Sequence, residues 1–499
     1  MRCSNLNCQA MTITCMMVAG VAANVRATDY FWTGATDSTF GSSANWSPSG
    51  VPGENDKAVF ISPGNGNTTL SMNGANAIGI IVSNATAAAY TFGAGAVGSQ
   101  TFRVQNNFQV NATTVQKQTV NANLNLGGAL TITSHITDGL TIAGGVSIAG
   151  TTARILQING NGSGTISGVI SNGAAVLSLT KANSGTWTLS GENTYTGSTI
   201  IGNGTLTVSS VAVSNGASGL GNATSAIVLG TASAGTATTG TLNYTGDTAT
   251  MTRGLVLATP GSGALAGRLN VTSAGKTLTL SGGVDNSVGG SGKAALFTVG
   301  GAGNTVIDSV VGGGIGGLTK ADAGTLTLNG DNTYTGATTV GANGGKLLIN
   351  GNQTAATGNV TIGAGATLGG SGIVGGATTL DGILSPGSEA GTLTFKGDLA
   401  VNNGSTYVFE ANDLVDVDGV LDLNDNWTLA LGAGFRDGGY VTLFTYGTLA
   451  ASPDLAPTLN TTNLGFTPSG TLSLADTGTG IVLHGIRLPG PPATTIVIK

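Results

Sequence analysis

Past its first 27 residues this sequence contains no cysteine: Cys3, Cys8 and Cys15 all lie before Thr28. A chain that loses that segment can form no disulfide. It must hold itself together by its core and its hydrogen-bond ladders, which 499 residues are enough to build. Charge is also scarce. Asp, Glu, Lys and Arg make up 8% of the chain, against roughly 25% in ordinary domains. The formal net charge of −6 becomes −8 if Arg2 and Arg26 leave with the first segment, which carries no acid. Such sparse acidity argues against nucleic acid or anionic lipid as partner. Histidine is limited to His135 and His484, and glutamate to Glu54, Glu192, Glu389 and Glu410. Apolar residues at helical spacing are almost missing beyond the first segment, which excludes a helical fold.

That first segment is present for another reason. Arg2 gives it a positive start, and Ala10 to Ala23 is mostly apolar and uncharged. Val25-Arg26-Ala27 then places short residues at −3 and −1 of a cut. This pattern predicts a secretory signal peptide over residues 1–27, cleaved between Ala27 and Thr28. The apolar run is short of the ~20 residues a membrane span requires, so no span is expected in the mature chain.

What the rest holds in abundance is glycine, 85 residues of 499, between short alternating runs of apolar and polar residues. The alternation predicts strands, since successive side chains of a strand face opposite ways. One block occurs twice. LTKANSGTWTLSGENTYTGSTII runs from Leu179 to Ile201, and LTKADAGTLTLNGDNTYTGATTV from Leu318 to Val340. Lys181 aligns with Lys320, Gly185 with Gly324, Tyr195 with Tyr334 and Gly197 with Gly336. Trp187 and Leu189, like Leu326 and Leu328, fall two apart and are expected to share an inward face. The turn glycines Gly191 and Gly330 are expected to adopt backbone angles closed to other residues. A unit with one apolar face and few strands cannot bury that face alone, so it must stack on something like itself.

The shorter theme Gly-Thr-Leu-Thr or a near relative recurs at Gly185, Gly204, Gly240, Gly324, Gly391 and Gly470, with a variant from Gly275. The steps from Gly185 to Gly204, Gly240 and Gly275 are close to one or two units of about 18 residues, the scale of a solenoid coil. The predicted fold is all-β, a parallel β-helix with a small N-terminal cap. A β-sandwich array is the alternative, because Asn-Gly turns such as Asn172-Gly173 also suit hairpins. Residues 28–66, with Trp32 and Trp46, read as the cap, and the two tryptophans as either buried or a sugar-stacking platform. Residues 67–379 read as solenoid with repeats at 179–210 and 318–352, residues 380–487 as a more aromatic C-terminal solenoid segment, and 488–499 as a loose tail.

The twin block resembles the autotransporter-associated β-strand repeat, also called the passenger-associated transport repeat. It shares the Leu-Thr-Lys start, Gly-Thr-Leu-Thr-Leu, a polar turn, Asn-Thr-Tyr-Thr-Gly and a final Gly-Thr-Leu strand, with Lys346 in place of a threonine in the second copy. The resemblance implies a right-handed β-helix at the bacterial surface or released from it. Members act as passengers in adhesion, aggregation and surface coating. No recognisable translocator barrel of alternating ~10-residue strands is read in this chain.

Reactive groups are few, and no catalytic, cofactor-binding or metal-ligating residue is assigned. The histidines lie far apart in sequence, and no cysteine survives cleavage, which removes support for Ser-His-Asp and Cys-His chemistry. Glu192 aligns with Asp331 and reads as a turn residue; no carboxylate pair suited to glycoside hydrolysis is apparent. In the acidic run Asp413 to Asp425, Asp416, Asp418 and Asp425 suggest a calcium loop, but alternation with Val415 and Val417 favours strand and turn ending at Gly419. The expectation is a non-enzymatic surface scaffold or adhesin touching polysaccharide, other surface proteins or itself. The rivals are a carbohydrate-active β-helix enzyme and a structural component of a surface layer.

Overall fold

The computed structural model describes residues 27–211, 216–230, 238–258, 265–285, 295–312, 316–387, 391–410, 412–432, 440–464 and 471–485. Of the expected signal segment 1–27 only Ala27 is among the described residues, and the expected loose tail 488–499 lies outside them. Within them the chain winds as a parallel β-helix with three walls. The first wall includes Lys57–Phe60, Asn76–Val82, Leu130–Ser134, Arg154–Asn159, Leu177–Lys181, Thr199–Ile201, Ile227–Leu229 and Leu255–Leu257, each parallel to the last or joined through Thr101–Val110. The second wall runs from Thr69–Leu70 through Thr186–Leu189 and Gly204–Val208 to Leu399–Val401. The third runs from Ala249–Met251 and Thr277–Leu280 through Thr325–Leu328 to Thr428–Leu431, while Val146–Ile148 and Ile170–Gly173 branch from the first wall by way of Asn123–Leu126 and Thr101–Val110.

Among the described residues, antiparallel pairing of whole strands is confined to the two ends, and only the isolated bridges Asn193–Ser218 and Gly370–Gly387 are antiparallel between them. Asp29–Trp32 meets Trp46–Ser47 at one end, and Gly480–His484 meets Tyr440–Leu449 and Ser473–Asp476 at the other. A sandwich of hairpins is therefore ruled out. Coil length is less regular than the recurrence of Gly-Thr-Leu suggests. Thr186 pairs with Thr205, a short coil, but Gly204 pairs directly with Gly240. The longer interval is one enlarged coil, not two, and the strand register is kept across it.

Inward rows fill the interior with Leu, Val and Ile, and nearly every one is fully buried. Trp32 and Trp46 are buried too, ring centroids 5.0 Å apart and edge to face, with Phe40 and Phe60 against them. Each indole N–H donates to a backbone carbonyl, Trp32 to Asn67 and Trp46 to Phe40. The sugar-stacking alternative fails for this pair, because neither ring face is open. At the far end Phe395, Tyr407, Phe409, Trp427 and Phe444 are buried, whereas Tyr440 is exposed.

The twin blocks form their coils as follows. Leu177–Lys181 lies on the first wall and Thr186–Leu189 on the second, while Gly317–Lys320 lies on the second and Thr325–Leu328 on the third. The copies are thus rotated by one wall about the axis. Gly191 and Gly330 do not occupy the left-handed region; Asn183 (φ 56°) and Asp322 (φ 59°) do. The turn glycines are needed for closeness instead. A Cβ at Gly191 would stand 2.6 Å from the carbonyl oxygen of Gly168, and one at Gly330 would stand 2.3 Å from that of Ser309.

Candidate functional site

The outer face of the second wall carries the longest regular array. Thr69, Thr91, Thr119, Thr141, Thr165, Thr188 and Thr207 stack in register, followed by Asn243 and Asn270. The alternation that sends Leu189 and Val208 inward puts these hydroxyls outward. Neighbouring strands sit ~4.7–4.9 Å apart, so the row presents one uncharged hydrogen-bonding group at that spacing. A parallel row, Ser163, Thr186, Thr205 and Thr241, stands two residues away on the same strands, interrupted next by Arg268. A shallow cavity of about 390 Å³ opens on this wall, lined by Ser163, Thr165, Ser184, Thr186 and Thr188 among others. Such a face can make many weak, equivalent contacts.

Beneath the surface the two repeats hold a feature that sequence reasoning treated only as register. Lys181 and Lys320 point into the core and are buried. Lys181 stands in an inward row with Ile158, Ile201 and Leu229. Its ammonium donates to the carbonyls of Ala182 (2.7 Å), Asn183 (2.6 Å) and Asn203 (3.0 Å). Lys320 does the same with Ala321, Asp322 (2.7 Å) and Gly344 (2.8 Å). All three ammonium hydrogens are used, and each cage ties a turn to the next coil. Burial pushes both amines down to about 8, so both stay mainly charged at neutral pH. The signal was legible: Lys181 lies two residues from Leu179, on the leucine's face of the strand.

The other motif residues find internal roles as well. Asn193 accepts the N–H of Ile170 and Asn332 that of Val311, each from the preceding coil. Tyr195 and Tyr334 are buried with their hydroxyls on Thr199 (3.0 Å) and Thr338 (2.7 Å). Burial raises both phenols to about 12. Arg253, also buried, donates to the carbonyls of Ser225 and Leu220. Nothing in its local sequence singled it out.

Candidate chemistry falls in separate places. His135 follows a first-wall strand in an early coil, and His484 ends the last strand against the Tyr440 ring. Glu192 accepts from the Ser210 hydroxyl and Asp331 from the Asn352 N–H, both as turn residues. The run Asp413 to Asp425 is not a loop. Leu414–Leu423 is one ten-residue strand that passes through Gly419, where a turn was expected, because it spans the corner and pairs with two strands at once. Asp418 pairs with Lys396 at 2.6 Å and Asp416 accepts from Thr445. Asp416 and Asp418 are held in that extended strand and Asp425 lies in the turn after it, so the three do not form one loop around an ion. No helix among the described residues is long and apolar enough to cross a membrane.

Residues 179–208 and 318–349 match the family model of the Passenger-associated-transport-repeat. The chain carries two passenger-associated-transport repeats. It is 30% identical over 374 residues to the adhesin BmaC autotransporter of Brucella suis biovar 1 (strain 1330), a match covering 72% of this chain and 10% of that protein. It is 43% identical over 101 residues to an extracellular serine protease of Serratia marcescens, covering 20% of this chain and 9% of the relative. The chain therefore spans about a tenth of the length of these relatives. The repeats supply the lysine cages, the inward tyrosines and the stacked threonines of their coils.

Proposed function

We propose that this chain is an exported, adhesin-like passenger rod that makes contact or aggregates through its repetitive polar walls. The observation that carries the reading is the uncharged threonine row of the second wall, held in register over successive coils. The adhesin relative, aligned over most of this chain, supports it. Export would begin with cleavage between Ala27 and Thr28. The module at 28–66 would shield the first coil of the solenoid, and the 67–379 and 380–487 segments would form the rod. Polysaccharide, surface proteins or further copies of the chain are the partners such a wall suits.

The same reading makes the chain non-enzymatic. The protease relative aligns over only a fifth of it, and His135 and His484 sit in coils near opposite ends of the described ladder. Cell fractionation with protease shaving of intact cells tests the location: loss of the chain from intact cells is expected, and full protection would refute the reading. Peptidase and glycosidase assays on the purified chain test the rest. Turnover abolished by a serine-directed inhibitor would replace the adhesin with an enzyme.

A further inference from the structure

On the outer face of the third wall one row runs Thr325, Lys346, Thr367, and the adjacent row runs Leu348, Gly369, Ser385. Lys346 is the position where the second repeat departs from the first, which has Thr205 before the equivalent leucine. Gly369 leaves its row without a side chain. A Cβ there would stand 2.4 Å from the Ser385 carbonyl oxygen and 3.1 Å from Leu348 Cδ2. Beside these rows lies a cavity of about 310 Å³, lined by Lys346, Leu348, Thr367, Ser385, Pro386 and Glu410 with Gly387. Among the described residues neither Lys346 nor Glu410 forms an ion pair. The backbone beneath Glu410 is fixed: its N–H donates to Asp413 Oδ2 at 2.9 Å, and the buried Asp413 also accepts the N–H of Gly391 at 3.1 Å.

The geometry points to a saccharide subsite that takes a sugar ring bearing a carboxylate, a uronic acid unit of an acidic polysaccharide. The cavity lies at the small end of ligand pockets, which run from about 300 to 1,000 Å³, so it suits one ring and not an extended chain. Leu348, half-buried on the outer face, offers an apolar patch for the C–H face of a pyranose. Thr367 and Ser385 offer hydroxyls that donate or accept at its edge. Lys346 supplies a cation for the sugar carboxylate, and Glu410 accepts from ring hydroxyls. Glu410 also repels a carboxylate turned the wrong way, which orients the ring. A neutral sugar would leave Lys346 unused. The subsite rests on the surface-contact reading and gives that reading a ligand class.

The test is calorimetric titration of the purified full chain with trigalacturonic acid and with neutral trigalactose. Wild-type protein should bind the acidic trimer and ignore the neutral one. Lys346→Thr restores the threonine of the neighbouring coils at an exposed position and should fold normally by circular dichroism. It should weaken acidic-trimer binding about tenfold by removing a charge-assisted contact. Failure of the wild type to bind the acidic trimer overturns the subsite, as does equal binding by Lys346→Thr or equal binding of the neutral trimer. Adherence of chain-coated beads to cells without uronate binding would sink the subsite and leave the adhesin reading standing. Uronate binding that depends on Lys346 supports the subsite even if shaving shows the chain to be shielded.

Discussion

The two copies of the repeat share a sequence pattern but not a place. The first begins on the first wall and the second on the second wall, yet each makes the same lysine cage, the same Asn contact to the preceding coil and the same Tyr–Thr pair. The pattern therefore encodes how a coil turns and not which side of the rod it faces. What differs is how the copies fill their centre. Trp187 in the first copy stands above Gly164, while Leu326 in the second stands above Thr305. A large side chain over none, and a medium one over a small one, fill comparable space.

Breaking that volume match should give the largest effect. Trp187→Ala deletes a fully buried ring whose N–H also donates to Asn159, and should cost about 3–5 kcal/mol in a denaturant titration followed by circular dichroism. Gly164→Ala alone should also destabilise, because a Cβ there would lie 2.6 Å from the Trp187 ring. Combined with Trp187→Leu, which copies the second repeat, the same alanine should be tolerated better than in the wild type. If the two substitutions simply add, volume is not what couples the coils.

The lysine cages come next and should respond alike in both copies. Lys181→Met or Lys320→Met keeps the apolar stem but takes the ammonium donor from the half-buried cage carbonyls, at about 1–3 kcal/mol for the whole cage. Thermal melts of the two variants should fall together; a loss confined to one copy would mean that only one cage supports its coil. The pH dependence has a definite sign. The folded amines lie at about 8, below the unfolded value of roughly 10.4. The contribution linked to this shift is therefore present above the unfolded value and is lost as pH falls through about 8. Relative to the double Lys→Met variant, the wild type should gain melting temperature between pH 8 and 10.

Much of this was readable in advance. Period-two alternation placed Trp187, Leu189, Leu326 and Leu328 in the core, and the alignment of Glu192 with Asp331 marked both as turn residues. Parallel stacking followed from a unit too small to bury itself. Other features lay beyond local pattern. The coil from Gly204 to Gly240 is longer than its neighbour yet keeps strand register, and strand propensity does not record coil length. The turn glycines are set by carbonyls of the neighbouring coil, a contact made across some twenty residues of chain. The strand Leu414–Leu423 runs through Gly419 because two neighbouring strands wait to pair with it, which overrides the glycine's preference for a turn. The cavity beside Lys346 draws Glu410 from a later coil, so only the lysine's departure from threonine hinted at it.

The smallest effects separate the copies most finely. Tyr195→Phe and Tyr334→Phe each remove one buried hydroxyl contact, worth about 1 kcal/mol. Thr199, the partner of Tyr195, is also within 3.4 Å of Arg253 Nη2, so it keeps a donor when the phenol is gone. Among the described residues the Thr338 hydroxyl has no such second side-chain contact. Tyr334→Phe should therefore cost more than Tyr195→Phe in matched melts, and the reverse order would remove Arg253 from the account. Thr305 runs the other way. Its hydroxyl is buried without a hydrogen-bond partner, because it occupies the place that glycine holds beneath Trp187. Thr305→Val keeps the shape and deletes the unpaired polar group, whose burial costs about 1–3 kcal/mol. A rise in melting temperature is expected, the one substitution here that should stabilise the coil. A fall would mean that the Thr305 hydroxyl has a partner, such as a buried water, and that the second repeat is filled by polar contact where the first is filled by volume.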